Sequence, residues 1–441
     1  MRIIIATGLN AGSAEYQNMG DVAMLQVAVA RLSNLGPDTE IMVLTDSRYN
    51  LARYCPGAMA LPRAGCSCWV GDRILLGRYH KFLPRKASIR LSAWKRAVRL
   101  RWPALLAFLI RLRLGLRDGN HRRGDFEVFL ESLKRTDLLV VCGSGGFADS
   151  CQDWNLLILA TMEEAIRHGI PVVMFGQGIG PLSDPSVLSR AREVLPKVTL
   201  ITLRGSRGGV QLLESIGVDP AKVVTTGDET IELAHAARAK EPGKAVGINL
   251  RVASYAGVQT EAIEQVGPVL QEFARRYKVP IVPVPIAFHE CANDHQTIRR
   301  LLTGFDAESN CGPFLDTPLE LMKQVARCRI LVTGAYHAAV FALAQGIPVV
   351  CLANSDYYLS KFQGLEDLFG VGCTTVMLSG SDLPGRLSTA IESAWKSAEV
   401  VRAPLLQSAL RQVESSREAY HMVESLKYPR ADQAQLVLSE A

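Results

Sequence analysis

The chain has 441 residues, of which 48% are hydrophobic and 21% charged, and its formal net charge at pH 7 is +6. Its length suggests two or three domains of ordinary size with ample core. The composition is typical of a globular protein, and no stretch holds the roughly eighteen uninterrupted apolar residues that a membrane span needs. Length and composition therefore argue against a membrane-spanning protein.

The N-terminus and the cysteines indicate a cytoplasmic protein. Residues 1–7 enter a strand pattern at once and lack the basic head, apolar middle and small-residue cleavage site of a secretory signal. The ten cysteines are scattered, and the close pair Cys66 and Cys68 is a poor zinc signal without further partners. We therefore expect reduced thiols and a cytoplasmic location.

Apolar strand patterns alternate with helical windows on both sides of a polar, proline-containing stretch at 235–244. Strands rich in Val, Ile and Leu that are spaced by helices indicate βαβ units and parallel sheets. We expect an α/β fold with two Rossmann-like domains facing each other across a cleft. The predicted units are an N-terminal domain over 1–238, a C-terminal domain over 245–380 and a helical tail over 381–441.

The positive charge is concentrated in a basic insertion within the first of these domains. Residues 73–123 contain fifteen Lys or Arg and a single acid. Bulky apolar residues, among them Trp94, Trp102, Leu105 and Leu109, alternate with the arginines in a mostly helical rhythm. Such basic amphipathic helices bind anionic membrane surfaces, whereas a nucleic-acid-binding stripe needs no apolar face. We expect a membrane-surface element and no nucleic acid; a helical insertion packed on the protein's own body is the alternative.

The most informative motif is a histidine at a strand-to-helix turn. The apolar strand 329–333 reaches Gly334, and Tyr336 and His337 then open a small-residue helix that ends at Gly346. In open α/β sheets, ligands bind beyond the carboxyl ends of the strands, and helix N-termini favour anions. We therefore expect Tyr336 and His337 in a ligand site; a histidine that merely satisfies a buried helix end is the alternative.

Unusual loops follow other predicted strands as well. Asn18 and Asp21 open the first helix, Gly145 and Gly146 belong to a glycine cluster, and Gly178 lies in a second glycine-rich loop. Backbone N–H groups of such loops can cradle an anion, although neither glycine loop has the spacing of a Walker A or dinucleotide-binding motif. Three such loops in one domain favour a ligand-lined edge over chance turns.

Charged side chains accompany these loops. Arg204 and Arg251 each end a predicted strand, Lys361 follows the strand after His337, and His289 follows another. The planar fork of arginine favours carboxylate or phosphate. Because all four positions follow strand carboxyl ends, we expect them at the substrate-binding edge.

Taken together, these loops resemble the polysaccharide pyruvyl transferase family. The matching motifs in chain order are Asn18-x-Gly20-Asp21, Gly143-Ser-Gly-Gly146, Gly178-Ile-Gly-Pro181, Arg204, Thr226-Gly-Asp228, Gly247-Ile-Asn-Leu-Arg251, and His337 to Pro348 followed by Lys361. The resemblance implies a two-domain fold similar to GT-B glycosyltransferases. It also implies transfer of the pyruvyl group of phosphoenolpyruvate to a sugar hydroxyl during exopolysaccharide or cell-wall glycan assembly.

The pyruvyl chemistry assigns roles to four residues. His337 supplies the proton for the methylene carbon, Arg204 and Lys361 bind phosphate and carboxylate, and Asp21 is the candidate base for the sugar hydroxyl. No metal cluster or redox cofactor is apparent. Glycan precursors are commonly assembled on lipid carriers, so we expect a sugar acceptor that can be lipid-linked, at the inner face of the membrane.

One position departs from the family pattern. The family commonly has Arg-x-His at the histidine motif, and here Ala335 replaces the arginine. The loss of a fork donor leaves two alternatives to pyruvyl transfer. One is a GT-B-like glycosyltransferase with a nucleotide-sugar donor, and the other is a non-catalytic membrane-surface component of a polysaccharide assembly complex.

Overall fold

The computed structural model describes residues 1–7, 18–71, 85–117, 119–205, 207–252, 258, 261–289, 292–305 and 315–426. Two parallel β-sheets flanked by helices make up the body of the protein. This is the predicted α/β architecture of two Rossmann-like halves. None of the helices within these ranges is long and apolar enough to cross a bilayer.

The first sheet is built from β1 (Arg2–Ala6), β2 (Glu40–Thr45), β3 (Met59–Pro62), β4 (Leu138–Val141), β5 (Val172–Gln177), β6 (Leu200–Leu203) and β7 (Val223–Thr225). Its order is β3-β2-β1-β4-β5-β6-β7, and all neighbouring strands are parallel. Strands β4 and β5 are buried at every residue, which explains their continuous apolar sequence. The strand order changes direction between β1 and β4, the kind of switch point where open α/β sheets bind ligands.

The helices of this half are α1 (Met19–Ser33), α2 (Arg48–Tyr54), α3 (Arg63–Val70), α4 (Arg85–Arg101), α5 (Pro103–Arg117), α6 (Gly119–Lys134), α7 (Gln152–Arg167), α8 (Pro185–Val194), α9 (Gly209–Ser215) and α10 (Thr230–Ala236). Helix α1 begins where the side chain of Asn18 accepts a hydrogen bond from Gly20 N at 3.0 Å. Such a cap satisfies one of the free N–H groups at a helix start. Asn18 therefore fixes the residue at which α1 begins.

The basic insertion contributes α4, α5 and the start of α6, and it is packed on the first half of the protein. Leu106, Ile110 and Leu114 of α5 are completely buried in the core beneath it. Arg99 of α4, 2% exposed, donates to Glu163 of α7 at 2.8 Å. Packing on the body, which was the alternative to a membrane-surface element, therefore describes one side of the insertion.

The second sheet is built from β8 (Ala245–Asn249), β9 (Ile281–Pro283), β12 (Cys328–Thr333), β13 (Val349–Ala353) and β14 (Cys373–Met377). Between β9 and β12 in the chain, β10 (Phe288–His289) and β11 (Ala292–Asn293) form a separate, short antiparallel pair. The sheet order is β14-β13-β12-β8-β9, again with parallel neighbours. Its helices are α11 (Glu261–Tyr277), α12 (Asp294–Leu301), α13 (Pro318–Val325), α14 (Tyr336–Ala344) and α15 (Asp356–Phe369).

Helix α14 lies in the centre of this second half. All nine of its residues are buried, which is why the segment is apolar on every side. The chain leaves the helix through Gly346, whose φ of +77° is a conformation that L side chains rarely adopt. The small-residue helix predicted after His337 is thus present and ends at the predicted glycine.

A long helix, α16 (Leu383–Glu424, 42 residues), connects the two halves. The ring of Tyr420 stacks on Phe175 of β5 with centroids 3.8 Å apart. Arg31 of α1 donates a hydrogen bond to Ser416 Oγ at 2.6 Å. The predicted helical tail is therefore a helix up to Glu424, and its last turns, around Ser416 and Tyr420, pack on the first half.

Several elements differ from the sequence-based expectation. Strand β3 and helices α2 and α3 occupy a region in which the pattern predicted no elements, and β14 was not predicted either. These elements have four to eight residues, too few to show a hydrophobic period. The domain boundary at 235–244 stays a prediction.

Candidate active site

The predicted site residues come from the carboxyl ends of strands in both sheets. In the first half, Gly145 follows β4, Gly178 follows β5 and Arg204 follows β6; in the second, His337 follows β12 and Lys361 follows β13. Contacts across the cleft bring these five residues together. Their common position on the topology was the basis of the prediction.

Arg204 is buried, with 5% exposure, and its guanidinium lies against both halves of the protein. Its Cζ atom lies 4.3 Å from the ring centroid of Tyr336, a cation–π contact. A Cβ added at Gly178 would lie 2.8 Å from Arg204 Nε, and one added at Gly145 would overlap Nη2. Gly145 and Gly178 therefore have no room for a side chain, because the Arg204 guanidinium occupies the space that a Cβ atom would take.

Lys361 approaches the same glycine from the other half. Its Nζ atom lies 3.9 Å from the ring centroid of Tyr357, and the Tyr357 hydroxyl donates to Gly145 O at 2.8 Å. A Cβ at Gly145 would lie 3.0 Å from Lys361 Nζ. Two cations, Arg204 and Lys361, thus face one point above the glycine loop.

The other glycine of this loop has a structural position. Gly146 N donates to Ser144 Oγ at 2.8 Å, and a Cβ at Gly146 would lie 2.8 Å from the ring of Trp154. Gly146 therefore packs on the first half rather than facing Arg204 and Lys361. Its role in substrate binding stays a prediction.

His337 is the second residue of α14 and is 7% exposed. Its ring lies directly against the backbone of Gly20, where any side chain would overlap it. Its Nε2 atom is buried and has no hydrogen-bond partner among the described residues. A buried, unpaired nitrogen at the start of a helix is what a site for a hydrogen-bonding ligand requires, and the helix-capping alternative provides no such partner.

Electrostatics keep the His337 ring neutral in this state. Burial lowers its pKa to about 3, Asp228 opposes the shift, and Arg204, Lys361 and Arg251 add to it. Burial also lowers the pKa of Lys361 well below its usual range, with Arg204 acting in the same direction. Arg204, Lys361 and Arg251 thus act together on the pKa of His337 against the single opposing charge of Asp228, so the site favours additional negative charge.

Asp228 was not among the residues predicted to bind substrate or to act in catalysis, although it lies beside them in the structure. Its Oδ1 atom accepts hydrogen bonds from Thr230 N at 3.0 Å and Thr230 Oγ1 at 2.6 Å. Its Oδ2 atom faces Arg204 Nη1 at 3.5 Å and His337 Nε2 at 3.8 Å. The signal available in the sequence was the Thr-Gly-Asp motif directly after β7.

Arg251 is held by a carboxylate of the protein itself. Its Nε and Nη2 atoms donate to Asp294 at 2.7 and 2.8 Å, and Asp294 also accepts from Asn249, Ile286 N and Ala287 N. The fork predicted to clamp an anion is thus engaged with Asp294. Arg251 still contributes positive charge, since it lowers the pKa of His337.

The start of α1 reaches across the cleft. Met19 N donates to Ile286 O at 3.0 Å, and Asn18 forms a bridge with Ala287 of the second half. Asp21, in the first turn, lies close enough to raise the pKa of Lys361 against the effect of burial. Asn18 therefore caps α1 at the contact between the two halves, and Asp21 contributes a second negative charge near Lys361, beside that of Asp228. His289 ends β10, and its side chain lies outside the described part of the structure.

The family follows from a direct match. Residues 18–356 match the polysaccharide pyruvyl transferase family. The chain belongs to this family. It is therefore a transferase of the polysaccharide-modifying class, and its matched region contains every candidate site residue except Lys361.

Solved structures share the fold at low sequence identity. A Listeria monocytogenes protein described as a UDP-N-acetylglucosamine 2-epimerase gives a TM-score of 0.56 at 10% identity, with 97% of this chain and 98% of that chain covered. The Anabaena protein Alr3699/HepE in complex with UDP-glucose gives 0.54 at 12% identity, with 97% and 100% covered. The UDP-GlcNAc 2-epimerase from Neisseria meningitidis bound to UDP-GlcNAc gives 0.52 at 12% identity, with 94% and 99% covered. These similarities show a GT-B-like fold. No curated protein matches the sequence.

Proposed function

We propose that this enzyme transfers the pyruvyl group of phosphoenolpyruvate to a sugar hydroxyl in exopolysaccharide or cell-wall glycan biosynthesis. The observation that supports this most is the pair of cations, Arg204 and Lys361, that face one point above Gly145 beside His337. Phosphoenolpyruvate carries a phosphate and a carboxylate, and each suits an arginine fork or an ammonium group. A donor that carries both a phosphate and a carboxylate therefore matches a site in which the basic groups of Arg204 and Lys361 lie close together.

Donor binding prepares the proton donor in this mechanism. The negative charge of phosphoenolpyruvate offsets Arg204 and Lys361, so donor binding raises the low pKa of His337. Asp228 Oδ2, 3.8 Å from His337 Nε2, then stabilises the imidazolium. A protonated His337 can deliver its proton to the methylene carbon of the donor, which makes the neighbouring carbon electrophilic.

The sugar then replaces the phosphate. A sugar hydroxyl oxygen forms a bond to the electrophilic carbon, and Asp21 accepts the hydroxyl proton. Phosphate leaves with the electron pair of its C–O bond, and a second sugar hydroxyl attacks the same carbon and loses its proton to close the ketal. Arg204 and Lys361 stabilise the departing phosphate through charge-assisted hydrogen bonds.

A nucleotide-sugar donor is the second candidate. Ala335 stands where the family commonly has an arginine, and this position is 1% exposed in the turn before His337. The Anabaena and Neisseria proteins of similar fold bind UDP-glucose and UDP-GlcNAc. In this reading the second half holds the nucleotide, and His337 or Asp21 acts as the base for glycosyl transfer.

The acceptor and the place of the reaction complete the proposal. We propose a sugar acceptor, carried on a lipid, at the cytoplasmic face of an anionic membrane. Support comes from the basic insertion, where residues 73–117 contain no Asp or Glu. A non-catalytic membrane-surface role is the remaining alternative.

Thermal melting with each donor tests the function. A ligand at a hundred times its dissociation constant adds about 2.7 kcal/mol of stability. We expect phosphoenolpyruvate to raise the Tm, Lys361→Met to abolish that rise, and Lys323→Met, at an exposed site on α13, to keep it. A rise with a UDP-sugar alone would favour glycosyl transfer, and no rise with either would favour the non-catalytic role.

A further inference from the structure

Helix α5 has two apolar faces, and one of them points away from the protein. Leu106, Ile110 and Leu114, four residues apart, are completely buried in the first half. On the opposite side the large apolar residues are exposed: Leu105 is 48% exposed, Phe108 59%, Leu112 51% and Leu116 79%. Residues spaced by three or four positions lie on one face of a helix, so these four form a continuous outward stripe.

Two tryptophans of the same insertion are exposed as well. Trp102, which joins α4 to α5, is 55% exposed, and Trp94 on α4 is 49% exposed. Monomeric globular proteins expose single apolar residues routinely, whereas a contiguous exposed stripe with aromatic rings marks an interaction surface. We call the six residues the outer stripe: Trp94, Trp102, Leu105, Phe108, Leu112 and Leu116.

The charge around the outer stripe identifies the partner. Some arginines of the insertion are used internally, since Arg96 and Arg99 bond to Glu163. Others are exposed, namely Arg90, Arg101 and Arg122. Residues 73–117 contain no Asp or Glu, so the charged side chains that α4 and α5 themselves contribute to this surface are all basic; Glu127 of α6 pairs with one of them, Arg111.

We propose that the outer stripe of α5 binds directly to an anionic phospholipid surface, with the surrounding arginines on the headgroups and the apolar side chains at the acyl boundary. An amphipathic helix that lies in the plane of the interface has this arrangement of apolar and basic side chains. Tryptophan prefers the level of the headgroups, which suits the exposed Trp94 and Trp102 of the insertion. The inner face of α5 is buried in the protein, so the helix anchors the whole body rather than a detached segment.

This inference deepens the membrane location proposed above, and its test needs no donor or acceptor. The full chain is mixed with vesicles of phosphatidylglycerol and phosphatidylcholine, and the bound fraction is measured by sedimentation over a range of salt. We expect binding to the anionic vesicles at low salt, release as salt rises, and little binding to pure phosphatidylcholine.

Matched substitutions distinguish binding through the outer stripe from a general effect of removing exposed apolar side chains. The double variant Phe108→Ser/Leu112→Ser should lose about tenfold or more in vesicle partitioning while its Tm stays close to that of the native chain, because both side chains are already exposed. The control Val400→Ser/Leu410→Ser removes exposed apolar residues from α16 and should leave partitioning unchanged.

Two results would overturn the proposal. One is equal binding of the Phe108→Ser/Leu112→Ser variant and the native chain. The other is a native chain that does not bind anionic vesicles. Dimers of the native chain that the same double variant dissociates would explain this second result, since the stripe would then be a contact between two copies. Vesicle binding is measured with and without phosphoenolpyruvate, and we expect the same bound fraction in both. The vesicle experiment can therefore fail or succeed independently of the donor experiment.

Discussion

His337 Nε2 and Asp228 Oδ2 are 3.8 Å apart, close enough for electrostatic attraction and too far for a hydrogen bond. Asp228 belongs to the first half of the protein and His337 to the second, so the pair spans the cleft. Asp228 therefore places a negative charge of the first half beside the buried ring of the second.

Replacing Asp228 by Asn should act through His337. Because the negative charge that favours the imidazolium is removed, the pKa of His337 in the donor complex should fall, and kcat should drop by about tenfold or more. Histidine NMR titration and the pH dependence of kcat measure both effects. Asp219→Asn, at an exposed turn, is the control. An unchanged pH profile in Asp228→Asn would show that the carboxylate has only a structural role.

A methyl group at Gly145 should separate Arg204 from Lys361. A Cβ there overlaps the Arg204 guanidinium and lies 3.0 Å from Lys361 Nζ, so Gly145→Ala should raise the KM for phosphoenolpyruvate, by up to about a hundredfold. Gly205→Ala is the matched control, since a Cβ at Gly205 meets nothing within 4 Å. Steady-state kinetics decide the matter, and equal KM values for the two variants would contradict the assignment of the site.

Glu229 should make stability fall as pH rises. Burial raises its pKa to about 7, so the folded protein holds a proton there that the unfolded chain has already lost. Its contribution is present below about pH 4.5 and is lost as pH approaches 7, on the order of 3 kcal/mol in total. Unfolding measured from pH 5 to 8 should show this loss in the native chain and a flatter profile in Glu229→Gln.

The pH dependence of the native chain alone does not isolate Glu229, because His337 changes the stability in the opposite direction with pH. Its pKa of about 3 means that stability is lost as pH falls below 6.5. The difference between the native chain and Glu229→Gln isolates the carboxyl. The same difference measured for Glu214→Gln, an exposed residue on α9, should stay near zero. A difference for Glu229→Gln that does not change with pH would exclude a protonated Glu229.

Removing Arg99 should loosen the insertion. Arg99 lies between Glu163 at 2.8 Å and Glu164 at 3.4 Å, and breaking a buried ion pair from one side costs about 3–5 kcal/mol. Arg99→Ala should therefore lower the Tm by several degrees and expose α4 to proteolysis. Arg90→Ala, an exposed arginine on the same helix, should change neither measurement.

An arginine at position 335 distinguishes the two donor classes. If the enzyme uses phosphoenolpyruvate, Ala335→Arg should keep or increase the affinity for it, because the variant restores the arginine that is common in the family. If the site holds a nucleotide-sugar, an arginine at this position, 1% exposed, should crowd it and abolish activity. Calorimetric titration of the variant with both donors measures the outcome.

The strand-and-helix rhythm was sufficient to predict the two sheets and the edge that carries the site. Arg204, His337 and Lys361 could be placed at one edge because each follows the carboxyl end of a parallel strand. Asp228 also follows a parallel strand, β7, but its contact with His337 could not be predicted from that position. Its partners Arg204 and His337 come from different sheets, and only the packing of one half on the other brings the three together.

The packing of the basic insertion could not be predicted from its sequence either. Helical periodicity predicts an apolar face, but α5 has two apolar faces, and only contacts distant in sequence show which one is buried. Arg99 finds its partner Glu163 at a separation of 64 residues. Arg251 has the same limit, because its pairing with Asp294 spans 43 residues and turns a predicted anion clamp into an internal ion pair.

The crossing of α16 back to β5 affects how the protein is synthesised. Glu229 and Tyr420 are 191 residues apart, and translation at about 5–20 residues per second separates them by roughly 10–40 s. During that time the ring of Phe175 and the Glu229 carboxyl lack their final cover. A nascent chain therefore emerges with an incomplete core, and the ribosome must release its later segments before the earlier ones can reach their lowest free energy.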